Sequence, residues 1–197
     1  MNYIRSAMKQ VEKSFFKKNT LEILKNILGM SLISEIGGIK TGGMIVEAEA
    51  YLGAEDPGSF AFGGKLTKKS IPLYQEPGTV FVYLNYGMYY LLNIITEPEN
   101  RAGAILIRGI KPEIGVEEMK KRRKKESIKG LTDGPGKLTI ALSIDDKSNG
   151  LKVYSKDSPI KLYYNKKIIP SEIKYSGRIG ISKGKELPFR AFIKKEI

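Results

Sequence analysis

Histidine, cysteine and tryptophan are all missing from this chain of 197 residues. Each absence closes off some chemistry. Without cysteine there is no disulfide framework and no thiolate nucleophile. Protein zinc sites draw on Cys and His, so a bound zinc is not expected. Ser-His-Asp and Cys-His mechanisms lack their general base. Any acid or base must therefore be Asp, Glu, Lys or Tyr. Long apolar runs are missing too, and none approaches the roughly 20 residues a membrane-spanning helix needs. The N-terminal MNYIRSAM has no apolar stretch ahead of a small-residue cleavage site. Neither a membrane partner nor a secretory leader is expected, and the cytoplasm is the default location (beside the nucleoid if the source is prokaryotic). No Pro/Gly/Ser-rich linker divides the sequence, and its 41% hydrophobic content can build a core, so one domain spanning residues 1–197 is expected.

Acidic side chains are in deficit. Lys and Arg number 34 against 21 Asp and Glu, a net charge of +13 at pH 7. An A/T-rich genome inflates lysine and isoleucine but does not obviously produce an imbalance this large. A nucleic acid is the favoured partner, because each phosphate neutralised by Lys or Arg releases condensed counterions. A membrane surface fits less well, since the basic run Met119–Lys125 is not flanked by an apolar, aromatic helix face.

The pattern of apolar residues mixes helix and strand. NTLEILKNILG places Leu21, Leu24 and Leu28 on a helical stripe, with Asn19 and Glu22 spaced as a capping box and Gly29 as a stop. MSLISEI, Met44–Tyr51 and AGAILIRGI read as strands, GTVFVYLNYGMYYLLNII as a hairpin, and DGPGKLTIALSI as a turn feeding a short helix. GVEEMKKRRKKESIKG is a charged helix or loop. LKVYS, IKLYY and PFRAFI alternate as further strands.

Two segments carry candidate chemistry. On a strand, Glu47, Glu49 and Tyr51 share one face and Val46, Ala48 and Ala50 the other. The simplest account is a polar face turned to solvent. If the two carboxylates are partly buried instead, their repulsion raises one pKa, which is what a general base in a chain without histidine needs. In the hairpin, a three-residue loop Asn85-Tyr86-Gly87 with Gly87 left-handed puts Tyr86 at the tip. That loop length also puts Tyr83 and Asn93 on one side, where a two-residue turn would separate them. An exposed tip aromatic beside a basic surface suggests a wedge between stacked bases.

VEAEAYLGAEDPG, YLNYGMYYLLNI, ILIRGIKP, DGPGKLTIAL, GRIGI and PFRAF, in that order, resemble the alkyladenine (3-methyladenine) DNA glycosylase family across residues 19–193. The resemblance implies an α+β fold: one compact domain with a curved, largely antiparallel sheet, flanking helices and a protruding hairpin that enters DNA. It implies a monofunctional enzyme that flips an alkylated purine such as 3-methyladenine or 7-methylguanine from duplex DNA and hydrolyses its N-glycosidic bond in base-excision repair. By the same resemblance Glu49 is the general base that activates water, with Glu47 a supporting carboxylate. Arg108 and the Ile179 carbonyl help hold that water. Tyr51 and Tyr83 sandwich the base, Asn93 discriminates at its edge, and Tyr86 fills the hole left in the duplex. DGPGKL offers the Gly136 backbone and Lys137 to a phosphate. Double-stranded DNA containing damaged purines is the implied partner, a monomer is expected, and no metal or organic cofactor is required.

One position departs from the family pattern. Phe60 stands where relatives usually carry a histidine that hydrogen-bonds the flipped base, so this chain is expected to rely on shape, charge and stacking. Two other classes stay open on the sequence: a non-catalytic nucleic-acid-binding module of the same fold, and a hydrolase of another glycoside using Glu47 and Glu49 as a carboxylate pair.

Overall fold

The computed structural model describes residues 8–196. Residues 1–7, nearly all of the N-terminal segment read for a leader, lie outside the described residues. Helix α1 (Thr20–Ile27) begins at its capping box: Asn19 accepts from the Glu22 amide at 2.9 Å, and the Glu22 carboxylate reaches back to the Asn19 amide. These contacts satisfy N–H groups that a helix start otherwise leaves open. The buried stripe is Thr20, Ile23, Leu24 and Ile27, whereas Leu21 is exposed. Of the expected Leu21–Leu24–Leu28 stripe, Leu24 and Leu28 are buried, Leu28 just past the last helical residue, and Leu21 is not.

The sheet contains β1 (Ser31–Ser34), β2 (Thr41–Tyr51), β3 (Val80–Asn85), β4 (Tyr89–Ile95), β5 (Ala104–Ile114), β6 (Ile160–Tyr163), β7 (Ile173–Ser176) and β8 (Arg190–Ile193). Its main order is β3-β4-β5-β2-β1-β6, and every pairing between these strands is antiparallel. Strand β2 is the hinge of the design. One edge pairs with β5 along its length; the other pairs first with β1 and then, over Glu47–Glu49, with β8, which carries β7. LKVYS, expected as a strand, makes only an isolated bridge from Lys152 to Thr79, while the unforeseen β7 forms because β8 offers it an edge.

Register explains how the two faces divide. Ala50, Ile105, Ile94 and Val80 lie in one cross-strand row, and Ala48 faces Ile107. This apolar face packs under α1 and α3 (Pro135–Leu142) in the main core. Helix α2 (Val116–Arg123) packs on α3 and buries only Met119. The opposite face carries a second, smaller cluster that includes Phe81, Ile95, Ala104 and Leu73. It is covered by the strandless segment 52–79, which is built from short 3₁₀ turns. A cleft opens between that cover and the sheet.

The hairpin loop is Tyr86-Gly87-Met88, because Asn85 pairs with Tyr89. It sits one residue later than expected, and the left-handed region is occupied by Tyr86 (φ 51°) as well as Gly87 (φ 69°). Both loops have three residues, so the parity that puts Tyr83 and Asn93 on one face survives. Among the described residues, no helix is long and apolar enough to cross a membrane.

Candidate active site

A single row of residues crosses six strands on the cleft side: Ser176, Arg190, Glu49, Leu106, Asn93 and Phe81. Directly opposed residues in antiparallel pairs share a face, so Arg190 and Asn93 approach Glu49 from opposite sides. Glu47 and Glu49 do not face solvent. They are 7% and 0% exposed.

The Glu49 carboxylate is held by three groups. Oε1 accepts from the Ile179 amide at 2.8 Å and lies 3.3 Å from Arg108 Nη1, and Oε2 accepts from the Tyr51 hydroxyl at 2.9 Å. Burial pushes the Glu49 carboxyl above the ordinary value, and Glu47 adds to the rise; Arg108, the Ile179 amide and the Tyr51 hydroxyl pull the other way. The two tyrosines stay protonated, and Tyr51 is the one that donates to Glu49. Burial, and then the Glu49 charge, lifts Tyr51 far above 10 and Tyr83 to about 12.

Two register shifts aim Arg108. Ile45 pairs with Ile110 and Glu47 with Gly109, which leaves Val46 over on β2; Ala48 then pairs with Ile107, which leaves Arg108 over on β5. Bulges re-aim side chains, and here the guanidinium points at both glutamates.

The cleft, about 610 Å³, is walled by Tyr51, Phe60 and Tyr83, and Asn93 and Arg108 also line it. Phe60 meets Tyr83 edge-on, with centroids 5.0 Å apart at 81°. The Asn93 amide NH₂ donates to the Phe81 and Leu91 carbonyls, so Oδ1 is the polar atom it presents. Towards the mouth stand Tyr86, 79% exposed, with Gly136, Lys137 and Ile179. Lys137 is paired with Asp133 at 2.8 Å, and a Cβ on Gly136 would press on Tyr89 at 2.8 Å. The basic run is divided: Arg122 is tied to Glu118 and the Ala141 carbonyl, while Arg123 lines the cleft. The structure thus gathers Glu49, Arg108, Ile179, Tyr51, Phe60, Tyr83, Asn93, Tyr86, Gly136 and Lys137 around one cleft, with Glu49 sealed beneath its floor. The contact from Ile179 is made by its amide.

The profile of the methylpurine-DNA glycosylase family matches residues 14–197. The chain belongs to that family. A protein of Clostridium tetani, provisionally named 3-methyladenine DNA glycosylase, is 43% identical over 185 residues, which cover 90% of each chain. Proteins with the same provisional name from Prosthecochloris aestuarii and Francisella tularensis are 41% identical over 187 residues and 39% identical over 186. These alignments cover 94% of this chain, and 88% and 95% of those relatives.

Three residues that support this cleft escaped sequence reasoning. Arg178 is fully buried and forks onto Asp56, with contacts of 2.5 and 2.6 Å, while its guanidinium lies 4.7 Å from the Tyr51 ring centroid. It braces Tyr51 from behind and anchors the turn whose next residue, Ile179, donates to Glu49. Burial raises the Asp56 carboxyl, but Arg178 and the Gly58 and Leu52 amides outweigh it, and the net shift is downward. Arg190 is the third, bound to Glu47. Arg178 and Asp56 lie 122 positions apart, and no local pattern marks them as partners.

Proposed function

We propose that this protein is a monofunctional DNA glycosylase that takes alkylated purines out of duplex DNA and hydrolyses their N-glycosidic bond in base-excision repair. The observation that carries the reading is the placement of Glu49: a buried, upward-shifted carboxylate, gripped by Arg108, at the base of an aromatic cleft. A base must leave the stack before its sugar bond can be attacked, at a cost of roughly a few kcal/mol. Stacking between Tyr51 and Tyr83 and insertion of Tyr86 offset that cost. The C1′–N bond breaks through an oxocarbenium-like state, and its electron pair departs on the purine. Water oxygen bonds C1′, and its proton passes to Glu49. Because Glu49 is fully enclosed, water reaches it from the cleft by taking the place of the Tyr51 hydroxyl on Oε2.

Two features favour water over a lysine nucleophile and over a carboxylate pair. Lys137 is the lysine lining the cleft, and its ammonium is engaged by Asp133. Glu47 has one oxygen engaged by both Arg108 and Arg190, which leaves it a held charge and not a free acid or nucleophile. Phe60 brings no hydrogen-bonding group to the base, so the site selects by charge and stacking; an alkylated, cationic purine is favoured on electron-rich rings. The test is release of 3-methyladenine from methylated duplex DNA by the wild type and by Glu49→Gln. The wild type releases it and the variant does not; equal rates overturn the reading, and a wild type that binds duplex without release marks a non-catalytic module.

A further inference from the structure

Glu47 takes no part in the chemistry above, yet a single oxygen of this buried carboxylate receives two arginines. Its Oε1 accepts from Arg108 Nε at 2.8 Å and from Arg190 Nε at 2.6 Å. Arg190 is itself fixed: Nη1 donates to Ser176 Oγ at 3.0 Å, and the guanidinium carbon lies 4.5 Å from the Phe192 ring centroid. Two carboxylates and two guanidiniums are thus enclosed together. Burying charges is costly, and apolar replacements of such groups are often neutral or stabilising, so stability alone is a poor reason for the cluster. Its geometric result is specific. Arg108 is the bulged residue of β5, without a ladder partner to orient it. Its planar fork is pinned at Nε by Glu47 and at Nη1 by Glu49, a two-point hold that a lysine cannot reproduce.

We propose that Glu47 and Arg190 are positioning residues, a clamp that fixes the Arg108 guanidinium against Glu49 and towards the cleft. The proposal rests on Glu49 being the base. Neither Glu47 nor Arg190 lines the cleft, so both act through Arg108. They also act on charge. Glu49 is faced by Arg108 from β5, Arg190 from β8, Glu47 and Tyr51 from its own strand, and Tyr83 from β3. Arg178 lies behind Tyr51 and is paired with Asp56. Removing the Glu47 charge removes a repulsion that helps hold the Glu49 pKa up; removing the Arg190 charge takes a cation from Glu47 and leaves that repulsion less compensated. The two changes move the acid limb of the rate profile in opposite directions.

The experiment is single-turnover base release from methylated duplex DNA across pH for the wild type, Glu47→Gln, Arg190→Gln and the double variant, with DNA affinity and thermal melting measured alongside. Each single variant loses plateau rate by about 100-fold, the scale of a small misplacement of catalytic groups, while affinity stays close to wild type. The acid limb moves to lower pH in Glu47→Gln and to higher pH in Arg190→Gln, and the double variant follows Glu47→Gln because Arg190 acts through that carboxylate. Wild-type rates in folded variants overturn the clamp, as does a loss of rate with the acid limb unmoved. Should Glu47→Gln fail to fold, the more exposed Arg190→Gln decides alone by the direction of its limb. An inactive wild type, or a fully active Glu49→Gln, instead removes the underlying assignment of the base.

Discussion

The Tyr51 hydroxyl donates to Glu49 Oε2 across 2.9 Å, from a ring two residues further along the same strand. One tyrosine therefore serves both as a wall of the cleft and as a lid on the carboxylate. Tyr51→Phe keeps the ring and removes the lid. The hydroxyl favours the ionised form of Glu49, so its loss raises that pKa further and moves the acid limb of base release to higher pH. Tyr51→Ala also loses stacking, worth about 1–3 kcal/mol, or roughly 5- to 150-fold in affinity for flipped substrate. Rate and affinity profiles of the two variants, read together, separate the roles.

Tyr86 sits exposed at the hairpin tip with left-handed backbone. Tyr86→Gly suits that conformation better and raises stability by up to about 1 kcal/mol. Release from duplex DNA falls by roughly 5- to 150-fold, because the vacated stack is no longer filled. Release from single-stranded methylated DNA is unchanged. Comparing the two substrates checks this directly.

Phe60 meets the edge of Tyr83 and offers no polar atom to a base. Phe60→His adds one. Relative activity on hypoxanthine rises by about 2- to 10-fold, the worth of one net hydrogen bond, while activity on 7-methylguanine holds or falls. Competition between the two lesions in one duplex mixture measures it; an unchanged preference excludes Phe60 as a determinant of specificity.

Arg178→Met leaves Asp56 buried and without its cation, at a cost of about 3–5 kcal/mol. The Asp56 pKa is depressed in the fold, so the stability it brings is present above its unfolded value and is lost as pH falls through the folded one. The deficit of the variant is therefore full at neutral pH and shrinks in acid. Urea titrations at several pH values follow the change.

Local features of this fold were legible from the residues alone. The Asn19–Glu22 capping box is complete within four positions, and strand alternation correctly put Glu47, Glu49 and Tyr51 on one face. Hairpin parity brought Tyr83 and Asn93 together although the loop slipped by one residue, because a shift that preserves loop length preserves parity. What stayed hidden depends on distant pairing. The bulges at Val46 and Arg108 leave no mark on hydrophobic periodicity. Arg190 reaches Glu47 only because β8 joins the far edge of β2, and Arg178 finds Asp56 across the covering loop. LKVYS alternates like a strand, but it forms only one isolated bridge, from Lys152 to Thr79. The polar face of β2 looked fit for solvent; two arginines and a loop made it an interior.

The most direct measurement compares wild type and Glu49→Gln across pH, for release of 3-methyladenine and for melting temperature. Burial holds the Glu49 pKa above its unfolded value. Its favourable contribution is thus complete below the unfolded value and is lost as pH rises through the folded one. Glu49→Gln escapes that loss: it gains melting temperature relative to wild type on going from acid to neutral pH, while its release rate drops by about 10²- to 10⁴-fold. A variant that releases 3-methyladenine as fast as wild type would contradict the assignment of Glu49 as the base.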